Sequence, residues 1–136
     1  MSRVTDLRWR RIVVGGIATH ALSIVLLVVV IVGYSLFATS GTGGQPTETA
    51  IQQFATTSGA LLFPALTILL TVFAAAWAAS RVDPETATSH GVGVGVVAGL
   101  LGLAFGALDA TMLIRFITTI VAGVLGVKLQ PILTAE

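Results

Sequence analysis

From Ile12 to Ala38 the chain runs without a single Asp, Glu, Lys or Arg, interrupted only by His20, Ser23, Tyr34 and a few small residues. About 20 apolar residues suffice to cross the hydrocarbon core of a bilayer as a helix. An α-helix is also one of only two elements that can satisfy every backbone group there. Three more runs follow, at about 54–80, 90–107 and 111–130. The composition agrees, with 55% hydrophobic and 10% charged residues, whereas a soluble domain carries roughly 25% charged residues. A soluble chain of 136 residues could not hide that much apolar surface. The expected fold is therefore all-α, a single domain over 1–136: a transmembrane bundle of four antiparallel helices.

The segments between the runs support this division. A basic head, "SRVTDLRWRR", precedes the first run, and "FATS" at 37–40 has the look of a weak signal cleavage site. A secretory core is about 7–15 residues long, so a run this long predicts an uncleaved anchor. Residues 39–52 are rich in Gly, Thr and Pro and read as a loop. Pro64 lies inside the second run, where it predicts a kink near 60–64. A second polar loop covers 81–89, with Thr88 or Ser89 as the expected cap of the third helix. The fourth run is expected to stop before Pro131. Only "ALDAT" separates the third and fourth runs, which makes them antiparallel neighbours. One continuous helix over both would be about twice the hydrocarbon thickness.

Basic residues set the expected orientation. Arg3, Arg8, Arg10, Arg11, Arg81 and Lys128 fall on one side, and only Arg115 falls near the other. Lys and Arg accumulate on the cytoplasmic side, so both termini are expected inside a plasma membrane. Trp9 and Trp77 then lie near the inner interface and Tyr34 near the outer one.

The stretch "HGVGVGVVAGLLG", 90–102, looks at first like a phosphate-binding loop. It fails the G-x-G-x-x-G test, because Gly91 and Gly93 are followed by Val96, and Gly93 and Gly95 by Ala98. A polar loop rather than a buried strand precedes it. Wound as a helix at about 100° per residue, Gly91, Gly95, Gly99, Gly102 and Gly106 form one smooth stripe. Gly93 falls on the opposite side and is expected to tolerate a side chain. In lipid, helices associate where small residues let backbones approach, so the stripe is a helix-packing surface, against this chain's own helices or against another chain. Small residues also crowd the cytoplasmic halves of the other spans, at Gly15, Gly16, Ala75, Ala78, Gly123 and Gly126. Tight inner packing and a looser outer half should follow.

Ionisable groups within a bilayer are functional candidates, and His20, Asp109 and Arg115 qualify. His20 reads either as a ligand or proton-relay residue or as a neutral ring bonded to a neighbouring span. Arg115 reads as snorkelling to the outer interface beside Asp109, or as a charge for an anion or a partner. His90, at the expected start of the third span, reads as solvated. No Ser/His/Asp grouping with supporting sequence, H-E-x-x-H motif or intramembrane carboxylate pair is present. Without cysteine there is no disulfide or thiolate site.

The join of the second and third spans, carried by Ala78, Ala79, Arg81, His90, Gly91 and Gly95, resembles a group of small bacterial four-helix integral membrane proteins. The likeness covers about 74–106, with Ser80 standing where that group has Gly. It implies a fold and no activity. The chain is thus expected to be a non-enzymatic membrane protein without a cofactor or metal. Its role would be that of a small packing, accessory or self-associating subunit, or alternatively a transporter or channel unit acting as an oligomer. Its expected partners are the lipid bilayer, a second copy or another membrane protein, and not nucleic acid.

Overall fold

A computed structural model describes residues 8–42, 46–104 and 109–133. Four helices account for them: α1 Trp9–Thr42, α2 Glu48–Ala79, α3 Pro84–Ala104 and α4 Ala110–Leu133. Each is long and apolar enough to cross a membrane, and no strand occurs among the described residues.

The helices begin earlier than hydropathy alone suggests, because polar caps extend them. Thr47 caps α2 by accepting the Ala50 N–H at 3.3 Å, and Glu48 sits favourably in the first turn. The third helix opens at Pro84 rather than near 90. Proline suits the first helical position, where its missing N–H costs nothing, and the carbonyl of Asp83 accepts from Thr86 and Ala87 at 2.9 and 3.0 Å. Thr88 and Ser89 therefore lie inside the helix and do not cap it. Asp109 caps α4, its Oδ1 accepting the Met112 N–H at 2.8 Å. At the other end α4 continues through Pro131 to Leu133, past the expected stop. A proline in a last turn removes a single ladder bond and leaves little helix beyond it to disturb. The second helix likewise runs through Pro64.

The core is small and built from small residues. Ala75, Ala78 and Val94 form its centre, with Ala74 against them. Along α1 and α2 the contacts run in opposite order: Arg11 with Trp77, Ser23 with Thr67, Tyr34 with Phe54. Along α1 and α3 they rise together, from Ile12 beside Gly93 to Gly16 beside Val97 and His20 beside Gly102. Along α3 and α4 they run in opposite order again, with Gly91 beside Gly123, Gly95 beside Ile120 and Gly99 beside Phe116. Five of the six helix pairs pack, α3 with α4 most extensively, while α1 and α4 lie diagonally apart.

Hydroxyl groups join α1 to α2. Ser23 donates to the Thr19 carbonyl at 2.8 Å, and Thr71 to the Thr67 carbonyl at 2.6 Å. The Thr67 hydroxyl lies 2.8 Å from the Phe63 carbonyl and 3.3 Å from Ser23 Oγ, so its one proton is shared between a bond within α2 and a bond across to α1. The Ser23, Thr67 and Thr71 side chains are all buried. Bonds of this kind hold apolar helices together where hydrophobicity cannot.

Candidate ligand cavity

The glycine stripe divides into two functions. A Cβ placed on Gly95 would lie 2.7 Å from both Ile120 Cα and the Thr119 carbonyl oxygen. One on Gly91 would meet the Gly123 backbone, and one on Gly99 the Phe116 ring at 2.5 Å. These three positions seat α4 against α3 within the same chain. Gly102 differs, since its Cβ would meet only His20 Nε2, at 3.8 Å, which is ordinary contact. Gly106 lies outside the described residues. Gly93 corrects the sequence expectation. It is pressed against Ile12, whose Cγ2 would be 2.9 Å from an added Cβ. The side of α3 opposite α4 is thus covered by α1 and is not a tolerant outer face.

Above the last tight glycine contact the bundle opens into a cavity of about 360 Å³, to which all four helices contribute. That volume lies at the lower end of the ~300–1,000 Å³ range of small-molecule sites. Phe63 and Pro64 of α2, Gly102 and Leu103 of α3 and Phe116 of α4 make its walls largely apolar. His20 and Arg115, the two ionisable residues singled out within apolar spans, both line it. His20 is buried, its ring and that of Phe63 forming a T-shaped pair with centroids 5.8 Å apart. Its Nδ1 is enclosed and faces the Gly16 carbonyl one turn back without forming a well-shaped hydrogen bond.

Arg115 is half-buried. Its backbone carbonyl accepts from Thr119 Oγ1 at 2.7 Å. Among the described residues its guanidinium has neither a hydrogen bond nor an ion pair. The expected pairing with Asp109 is absent there, because the Asp109 carboxylate turns to its own helix start and holds the Met112 N–H. Four residues would favour such a pair more than the six that separate these two.

His90 is a second correction. It is completely buried, not solvated. Its Nε2 accepts the backbone N–H of Arg8 at 3.0 Å, and its Nδ1 lies 2.9 Å from the Thr86 carbonyl. An accepting Nε2 requires the ring proton on Nδ1, which then donates to Thr86. The imidazole thus satisfies an orphan amide at the start of α1 and ties that start to α3. The sequence did contain the signal. Asp83-Pro84 is a helix-opening pair, and starting the helix there puts His90 in its second turn.

Near this junction Arg8, Arg81, Asp83 and Thr86 border a second, polar recess of about 480 Å³. Arg11 lies over the Trp77 ring at 5.3 Å, a cation–π arrangement, with one guanidinium nitrogen buried and unbonded. Among the described residues no three His, Cys, Asp or Glu side chains gather as metal ligands would. No family model, curated protein or solved structure matches this chain.

Proposed function

We infer that this chain is a non-enzymatic integral membrane protein of the plasma membrane, with four antiparallel spans and both termini cytoplasmic, and that it holds a small hydrophobic molecule inside its bundle. The observation that carries the ligand-holding role is the meeting of His20 and Arg115 at one largely apolar cavity. Ionisable groups are expensive within a bilayer and mark sites where they occur. The contact order of the helices and the gathering of Arg8, Arg11 and Arg81 at one end support the topology. The role is that of a small accessory subunit, in keeping with the resemblance to small bacterial four-helix membrane proteins. Self-association through the glycine stripe is less well supported, because Gly91, Gly95 and Gly99 are occupied by α4.

A second reading, a transport unit acting as an oligomer, has one observation in its favour. The cavity lies in a bundle whose α1–α4 diagonal does not close. The test of ligand holding is thermal unfolding of the protein in lipid nanodiscs with and without 1-octanol. Saturable stabilisation that disappears in Gly102→Leu, which fills the cavity, is the expected result. Equal response of the two proteins, or no response in either, refutes it.

A further inference from the structure

We propose that the molecule held in the cavity is an aliphatic monocarboxylate, its carboxylate on the Arg115 guanidinium and its chain between Phe63 and Phe116. This rests on the ligand-holding reading and adds the chemical class.

Charge is the first argument. Arg115 brings a permanent positive charge to the cavity. Among the described residues no Asp or Glu lines that cavity, and none pairs with the guanidinium elsewhere. A cation partly withdrawn from water is costly unless an anion meets it. The planar guanidinium fork matches a carboxylate with two parallel hydrogen bonds. Other donors around the space are few. Thr119 gives its proton to the Arg115 carbonyl, and Thr67 shares its own between Phe63 and Ser23. The anion must therefore be carried mainly by Arg115, with His20 beside the same space.

One guanidinium suits one negative charge. A phosphate monoester carries roughly −1.5 to −2 at neutral pH and would leave the surplus buried. An ammonium would be repelled, and an alcohol would leave the guanidinium unneutralised.

Size is the second argument. At roughly 30 Å³ per heavy atom, the share of a liquid water, the ten heavy atoms of octanoate need about 300 Å³. The cavity offers about 360 Å³. Phe63 and Phe116 supply the apolar surface that an alkyl chain requires.

The experiment is equilibrium dialysis of labelled octanoate, 1-octanol and octylamine against the full chain in zwitterionic nanodiscs, with empty nanodiscs subtracted. Octanoate should bind saturably, about tenfold or more tighter than octanol, the worth of one charge-assisted contact, and octylamine more weakly still. Arg115→Gln and Arg115→Met should both erase the preference for octanoate while retaining octanol binding, which shows that each variant is folded with its cavity intact. Octanol binding as tight as octanoate in the wild type, or an unchanged octanoate preference in the folded Arg115 variants, overturns the carboxylate assignment and leaves ligand holding standing. Failure of every probe to bind overturns both.

Discussion

Adding a single methyl group at Gly95 and at Gly102 separates packing from cavity on one helix. A Cβ at Gly95 would sit 2.7 Å from backbone atoms of α4, whereas ordinary contact begins near 3.4 Å, so α4 must retreat by about 0.7 Å. Backbone cannot rotate away as a side-chain tip can. Overpacking of this kind typically costs about 1–3 kcal/mol. At Gly102 the nearest atom is 3.8 Å away and nothing has to move. Both substitutions gain about 1 kcal/mol from the better helix propensity of alanine. That gain cancels in the comparison, so the difference between Gly95→Ala and Gly102→Ala isolates the clash. We expect Gly102→Ala to be neutral to about 1 kcal/mol stabilising and Gly95→Ala to lie about 1–3 kcal/mol below it, a factor of roughly 5 to 150 in the unfolding equilibrium. Reversible unfolding in mixed detergent micelles, followed by circular dichroism, measures both. Equal stability of the two variants refutes the argument that the α3 backbone is in direct contact with α4 at position 95.

Other expectations follow from single contacts. Gly93→Ala should destabilise the protein through Ile12, and Ile12→Ala, which removes all three atoms the new methyl would meet, should relieve it, with a coupling of about 0.5–3 kcal/mol in a double-mutant cycle; strictly additive effects would deny the contact. His90→Phe should cost about 0.5–1.5 kcal/mol, the net worth of one hydrogen bond, and should speed hydrogen exchange at the Arg8 amide; unchanged exchange there would mean that the bond is not made. For topology, a cysteine introduced at 44 should react with an impermeant thiol reagent on intact cells and one at 86 should not. The reverse pattern would invert the proposed orientation.

Much of the fold could be read in the sequence because four long apolar runs are plain, and each becomes a helix long and apolar enough to cross a membrane. Helix ends were less legible. Thr47, Pro84 and Asp109 extend helices into polar sequence, where hydropathy is silent but capping chemistry is not. The stripe of Gly91, Gly95 and Gly99 followed from helical period alone, yet periodicity cannot say what stands opposite. The same arithmetic placed Gly93 on a free face, where the structure has Ile12. His20 and Arg115 stood out separately as charges or near-charges in apolar context. That they border one space depends on how four helices cross, which is a property of packing and not of spacing. Ser23 passed as a minor interruption and Thr67 did not stand out at all, since nothing local distinguishes a hydroxyl bonded to its own helix from one bridging two.

The bond between the Arg8 amide and His90 spans 82 residues of chain. At ~5–20 residues per second of synthesis, the acceptor reaches the ribosome's peptidyl-transfer centre about 4 to 16 s after its donor. During that interval α1 can meet α2, whose contacts are nearer in sequence, but its start has no lock. Whatever α1 meets first, the lock on its start waits for α3, so the earliest of the described residues are fastened only by some of the later ones.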